Sequence, residues 1–339
     1  MALYGGIDLH SRISWLVILD GALKLVRQVK VGNDLKEFLR LLEPYRADLA
    51  GLAVESTPNW YWLVDGLQDA GYRMHLTNTC AVQQYSGLKY TDDRHDARWL
   101  AHLLALGILP EGYIYPAHER PLRDLLRRRG FLVDKRTSML LSLRSAYECQ
   151  TGQRVNSDTV KKWTAVELEE LLDNATVARG LTCLLEPIKT ISTQIKMLEK
   201  EVLAQAKLRA EFALLRTVWG IGPILGMTVM LEVGDIKRFK KVGNFASYCR
   251  LVKTDRFSVG KRKGSGNAKN GNPYLSWAFS EAAHFAIRYH DAAKRFHQRK
   301  LAKSNGILAI RALAHKLARA SYYVMRDQVE FDPDRLFTS

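Results

Sequence analysis

The 339-residue chain is 47% apolar and 25% charged, an ordinary balance for a folded, water-exposed protein. No apolar run approaches the roughly 20 residues that cross a bilayer, and the start, MALYGGIDLH, turns acidic and polar too early for a secretory leader. A cytoplasmic protein with no membrane partner is therefore expected, and its four widely spaced cysteines (Cys80, Cys149, Cys183, Cys249) read as reduced core thiols rather than a zinc site or disulfides.

The net charge is +16 and lopsided: residues 1–110 hold 11 Lys+Arg against 12 Asp+Glu, residues 111–210 hold 17 against 13, and residues 211–339 hold 23 against 10. So strong a basic excess in one third of the chain favours a polyanion partner over a merely solvated basic face.

In chain order, Leu3–Leu9 and Ser14–Leu19 read as strands, and Asp20-Gly21 as a turn into a third antiparallel strand, Ala22–Val31. Asn33 is the expected cap of a helix to about Leu42, with Leu35, Phe38, Leu39 and Leu42 on one face. Leu49–Val54 is a buried strand ending at Glu55, Pro58 suits the first turn of a helix over 59–70, Gly71 ends it, and Arg73–Thr77 is a fifth strand. A helix follows from about Asp93 to Leu106. Three meandering strands followed by alternating helix and strand is the ribonuclease H-like order, with sites at strand C-termini.

Two long helical stretches come next, Ala117–Gln150 and Leu181–Phe212, spaced to form an antiparallel pair or coiled coil, with a polar loop or short helix around Gln153–Thr164. Val218-Trp-Gly-Ile-Gly-Pro resembles a helix-hairpin-helix turn, whose glycines let backbone amides approach a phosphate, and a helix runs on to about Val233. Residues 237–269 hold 11 Lys+Arg and one acid, Asp255, and Asp255–Gly271 reads as a flexible basic loop. Two helices, Pro273–Tyr289 and Ile307–Arg326, close the chain. The fold class expected is α/β plus all-α.

Asp8 and Glu55 end two strands that are neighbours in such a sheet, and Asp93 and Asp96 share one face at the start of a helix. Four carboxylates meeting there repel unless cations lie between them, and Mg2+ suits hard oxygen ligands plus a substrate phosphate. Taken singly, each acid has a plainer reading: Asp8 as a strand-end turn residue, and Asp93 or Asp96 as first-turn acids favoured by the helix dipole. Asp92 competes with Asp93 as ligand, although it suits the helix cap better. An actin-like kinase also opens on a GID strand but needs a small glycine/threonine loop next, where this chain has Leu9-His10-Ser11-Arg12.

Ser258 lies in Arg256-Phe-Ser-Val-Gly-Lys-Arg-Lys-Gly. A free serine is a poor nucleophile, so on chemistry alone Ser258 and Ser265 read equally as loop residues touching backbone phosphates. Tyr248, Phe257, Tyr274 and Trp277 stand near basic residues, with core packing the plainer role for their rings.

The ordered set GIDLH, AVES, TDDRHDARWLA, WGIGPILGMTVMLEVGDIKRF, FASYCRLV and S-x-GK…GN-x-KNGNPYL resembles the DEDD-type insertion-sequence transposases, which are related to pilin-gene invertases and include the bridge-RNA-guided recombinases. The resemblance implies a RuvC-like catalytic domain over 1–112, a helical coiled-coil region for oligomerisation and RNA binding over 113–212, and a C-terminal transposase domain over 213–339. It places Asp8, Glu55, Asp93 and Asp96 on the family's acidic quartet. Aligned backward from Lys269-Asn-Gly-Asn, it places Ser258 on the nucleophilic serine, although Val259 intervenes before Gly260 where many relatives have glycine directly after serine, which keeps Ser265 as second choice. It further implies Mg2+, donor and target DNA, a non-coding guide RNA and a homo-oligomer (dimer or tetramer), with serine and quartet of one site coming from different subunits. Arg127, Arg128, Arg129, Lys135, Lys240, Lys241, Lys261, Arg262, Lys263 and Lys269 are the expected nucleic-acid contacts. The alternatives are a hydrolytic junction resolvase or nuclease using the quartet and water, and a non-catalytic nucleic-acid-binding protein.

Overall fold

The computed structural model describes residues 1–82, 93–206, 209–252, 255–265 and 270–337. The chain forms two compact units, the first over Met1–His118 and the second beginning at Glu119. None of the described helices is long and apolar enough to cross a membrane.

In the first unit, β1 (Leu3–Asp8), β2 (Ile13–Asp20) and β3 (Leu25–Gly32) form the expected antiparallel meander. It is followed by α1 (Leu35–Leu42), β4 (Leu49–Glu55), α2 (Tyr61–Asp69), β5 (Met74–Thr77), α3 (Thr79–Val82) and α4 (Asp93–Ala105). The sheet order is β3-β2-β1-β4-β5, with β1–β4 and β4–β5 parallel, so β1 and β4 are neighbours and their C-terminal ends share one edge. One sheet face (Ile7, Leu16, Ile18, Leu52, Val54) packs on Phe38, Leu42, Leu63, Val64 and Leu67 of α1 and α2. The other packs Val17 and Leu19 on Ala97 and Ala101 of α4.

Gly6 sets how closely α4 lies on the sheet. A Cβ there would fall 2.0 Å from the Ala97 carbonyl oxygen and 2.6 Å from the Ala101 amide nitrogen. Hydrogen is therefore all that fits between strand and helix backbone. Two local expectations are corrected in this unit. Asp34, not Asn33, caps α1, accepting from the Lys36 amide, because the Asn33 side chain is already taken by the Ser14 hydroxyl and the His10 carbonyl. Pro58 stands outside α2, whose cap position is Trp60.

The second unit opens with α5 (Arg120–Thr151), α6 (Ser157–Val160), α7 (Ala165–Glu170) and α8 (Ala175–Ala206). Helices α5 and α8 run antiparallel as expected, with Arg129 meeting Glu199 and Arg136 meeting Ser192. Their far ends close over a core of Leu140, Leu143, Tyr147, Trp163, Leu185 and Ile188. Next come α9 (Ala210–Leu215), α10 (Pro223–Val233), α11 (Val242–Tyr248), strands β6 (Asp255–Ser258) and β7 (Lys261–Ser265), then α12 (Pro273–Tyr289), α13 (Asp291–Leu301) and α14 (Gly306–Asp327). Helix α10 is buried on every side from Leu225 to Val233, with α5, α8, α9 and α12 packed on it.

The second unit departs from expectation in three ways, at the basic loop, at an added helix and at the cysteines. The basic loop is a hairpin, because Val259 (φ 51) and Gly260 (φ 71) both take the left-handed conformation that a two-residue turn requires. Helix α13 was not expected, since Asp291–Leu301 is mostly polar and buries only Ala293 and Phe296. In the Gly-Ile-Gly turn, Gly220 has a φ of 77, and a Cβ there would lie 2.0 Å from the Ala282 carbonyl oxygen, whereas Gly222 has nothing within 4 Å. Cys149 and Cys183 are exposed, on the outward sides of α5 and α8, and only Cys249 is a buried thiol.

Glu232 of α10 is a buried carboxylate in this apolar centre. The Arg127 guanidinium donates to it twice, at 2.6 and 2.7 Å, and the Asn272 amide donates at 2.7 Å. Asn272 in turn caps α12, its side-chain oxygen accepting from the Tyr274 and Leu275 amides. Glu232 thus ties α5, α10 and the start of α12 together, and an ion so far from water needs all three donors.

Two stability outcomes follow. Gly6→Ala is expected to cost about 1–3 kcal/mol, because backbone must move to admit the methyl, whereas Gly21→Ala, with its nearest neighbour at 3.8 Å, stays near wild type; thermal unfolding reads both. Glu232→Ala is expected to cost about 3 kcal/mol or more by chemical denaturation, against less than about 0.5 kcal/mol for exposed Arg128→Ala.

Candidate active site

Three of the four expected carboxylates come together at the C-terminal edge of the sheet. Asp8 ends β1 and is 2% exposed, Glu55 ends β4, and Asp96 lies in the first turns of α4, brought there by the close seating of that helix on Gly6. Glu55 holds its proton above the ordinary carboxylate range, first because burial disfavours its charge and next because Asp96 repels it. A hydrogen bond to Asp8 and the charge of His10 pull the other way. Asp93 is the first residue of α4, but its side chain lies outside the described residues, as does all of Asp92. Among the described residues no group of three His, Cys, Asp or Glu side chains is set to hold a metal ion.

His10 is a member of this cluster that the sequence reading passed over. Its Nε2 is 2.9 Å from Asp8 Oδ2, and its carbonyl accepts from the side-chain amides of both Asn33 and Asn59. The signal was present in its place two residues beyond Asp8. Arg94 lies over the Trp15 ring at 5.2 Å, on the strand residue paired with Asp8.

In the second unit Ser258 is the last residue of β6 and pairs with Lys261 across the turn, while Ser265 pairs with Asp255 at the other end of the hairpin. The two candidate serines therefore stand at opposite ends of the same ladder, and neither side chain is among those described. The expected nucleic-acid contacts divide by availability. Arg128, Lys135, Lys240, Lys241, Lys261 and Lys263 are exposed. Arg127 is bound to Glu232 and Arg129 to Glu199, so both are spoken for within the fold. The Arg262 side chain and the whole of Lys269 lie outside the described residues. A basic cluster that the sequence reading did not single out lies on α13 and α14, where Lys300, His315, Lys316 and Arg319 crowd together. Burial and then the neighbouring positive charges push His315 and Lys316 below their ordinary ranges. Of the aromatic candidates, Tyr248 packs on Phe239 in the core, the Phe257 side chain is not described, and Tyr274 and Trp277 are exposed.

Comparison with known proteins points the same way. Residues 212–298 match the family described as "Transposase IS116/IS110/IS902 family", and residues 5–148 match a DEDD-type IS110 transposase domain. A probable family 20 transposase of Pseudomonas aeruginosa is 24% identical over 97% of this chain and 98% of its own length. The transposase for insertion sequence element IS1111A of Coxiella burnetii is 23% identical over 58% of this chain and 55% of its own. An uncharacterised 44.8 kDa protein of insertion element IS116 from Streptomyces clavuligerus is 26% identical over 46% and 40%. The acid cluster falls in the first matched segment and the serine hairpin in the second, so the chain matches, in order, two domain models of the IS110/IS116/IS902 insertion-sequence transposases.

Proposed function

We propose that this transposase cuts and rejoins donor and target DNA through an acidic quartet, Asp8, Glu55, Asp93 and Asp96, and a serine nucleophile, Ser258. The observation that carries the reading is the burial of Asp8 beside Glu55, with the Glu55 proton held first by burial and next by repulsion from Asp96. Such a cluster is electrostatically costly by itself and chemically suited to a cation, since every donor is a hard carboxylate oxygen. Mg2+ held there supplies stabilisation of the charge that develops on phosphate oxygens during transfer.

The Ser258 hydroxyl attacks phosphorus. One phosphoester bond of the strand breaks as the serine–phosphate bond forms, and the serine proton ends on the hydroxyl of the departing strand. Because phosphoester bonds are conserved in number, attack by another strand end reverses the step and rejoins DNA. The position of Ser258 next to the turn supports it over Ser265, which sits at the far end of the ladder beside Asp255. The proposal includes a non-coding guide RNA held through backbone contacts, and a homo-oligomer in which quartet and serine come from different subunits. The RuvC-like assignment of the first unit rests on the strand order and on the site lying at the strand C-termini.

Incubation of the purified protein with substrate DNA and Mg2+, followed by denaturing electrophoresis, tests the chemistry. Asp8→Ala is expected to lose cutting by at least about a hundredfold while still binding DNA. Ser258→Ala is expected to lose the covalent protein–DNA adduct, and Ser265→Ala to keep it. Cutting that persists in Ser258→Ala without an adduct means hydrolysis by water and overturns the serine step; cutting unchanged in Asp8→Ala overturns the quartet. Sequencing of copurifying RNA tests the guide: a structured RNA from the flanks of the gene supports it, and its absence counts against it.

A further inference from the structure

A cleft within the second unit, about 460 Å³ in volume, opens between α5, α10 and the start of α12. Three of its walls are aromatic and face solvent: Phe131 is 50% exposed, Trp277 45% and Tyr274 38%. Ile224 adds apolar surface, and Arg127 and buried Glu232 stand at its inner side. Rings left this exposed do not serve the core, and the volume lies within the roughly 300–1,000 Å³ of ordinary small-ligand pockets.

Arg127 is central to what the cleft can take. Its guanidinium lies 4.6 Å from the Tyr274 ring centroid, and its Nε and Nη2 both donate to the Glu232 carboxylate. Burial opposes the positive charge, but the hydrogen bonds and charge of Glu232 outweigh it and hold Arg127 ionised. The result is a planar cation locked in place beside exposed rings. A cation already paired in this way is a poor partner for a phosphate and a good flat surface for stacking.

We infer that this cleft receives an unpaired nucleobase, stacked among Phe131, Tyr274 and Trp277 and against the Arg127–Tyr274 pair, from a single-stranded stretch of DNA or RNA. It rests on the nucleic-acid part of the function proposed above. Charge selects this occupant over a second copy of the chain. Arg128 and Lys135 flank the cleft on the same helix and outnumber the one exposed acid of its lining, Asp134, and residues 211–339 carry 23 Lys+Arg against 10 Asp+Glu, so two such surfaces repel whereas a polyanion is drawn in. Aromatic stacking is also indifferent to which base is presented, so the cleft holds a strand without reading its sequence.

The test uses the full-length protein without metal, so that neither cutting nor adduct formation enters the readout, and Gly21→Ala serves as a folded control. Labelled oligo(dT), oligo(U) and a blunt DNA duplex are titrated at one fixed salt concentration. Trp277→Ala and Phe131→Ala are expected to weaken at least one single strand by about 5- to 100-fold and the duplex by less than about twofold, with Trp277→Phe close to wild type. Which oligonucleotide responds tells DNA from RNA as the source. A strand bearing 5-iodouracil is expected to photocrosslink in the wild-type protein to Phe131, Tyr274 or Trp277, which decides the matter should a variant fail to fold. Unchanged single-strand binding by both alanine variants, equal losses for strand and duplex, or crosslinks confined elsewhere overturn the inference. So does a fall in sedimentation to a smaller species with strand binding intact, which assigns the surface to a second copy. Failure here leaves the cutting chemistry standing, and loss of the Asp8 or Ser258 chemistry leaves this binding result standing.

Discussion

The candidate active site depends on the absence of one side chain. With hydrogen at Gly6, α4 lies with its backbone directly against β1, and Ala97 and Ala101 keep the rest of that seam thin. Asp8, two residues beyond Gly6, and Asp96, one residue before Ala97, are consequently brought to the same place. The parallel pairing of β1 with β4 adds Glu55 to that edge. Three elements distant in sequence thus converge through two packing constraints, and the electrostatic cost of bringing like charges together falls on the well-packed sheet beneath.

The same logic recurs in the second unit with opposite chemistry. Helix α10 is the most buried helix, and a charged Glu232 in its last turn is tolerated only because Arg127 and Asn272 come to it from two other helices. Both arrangements spend packing stability on placing polar groups. At the sheet edge burial and the charge of Asp96 leave Glu55 holding its proton above the ordinary carboxylate range. Around α10 the charge is neutralised and the group becomes scaffold, with a fixed guanidinium plane on its outer side.

Much of the first unit was legible because its signals are periodic and short-range: alternating apolar strands, an amphipathic α1, and acids at strand ends. What was illegible depended on competition between neighbours. Asn33 and Asp34 are both good caps, and only the Ser14 and His10 partners of Asn33 decide which of them caps α1. Positive φ at Val259 is uncommon for a β-branched residue, so composition pointed to a loop where the backbone makes a hairpin. Helix α13 hides because its buried face is only two residues wide. Of the candidate site, the three carboxylates could be read from position in the strand–helix order. His10 and Glu232 could not, since neither a histidine just past a strand nor a glutamate in an apolar helix announces its partner.

Net charge proved a coarser guide than the separate cations. Arg127 and Arg129 lie in the most basic run of α5, yet both are satisfied by glutamates inside the fold. Their neighbour Arg128 and the hairpin lysines Lys261 and Lys263 are turned to solvent. On α13 and α14 the situation is the reverse of Arg127: burial first, and then the nearby charges of Lys300 and Arg319, push His315 and Lys316 below their ordinary ranges. Like charges held at such a cost gain most from an approaching polyanion, because its field relieves their repulsion as well as attracting each of them. The basic residues of the second unit therefore divide by physical role into those whose ion pairs build the scaffold and those that are turned to solvent or crowded against one another.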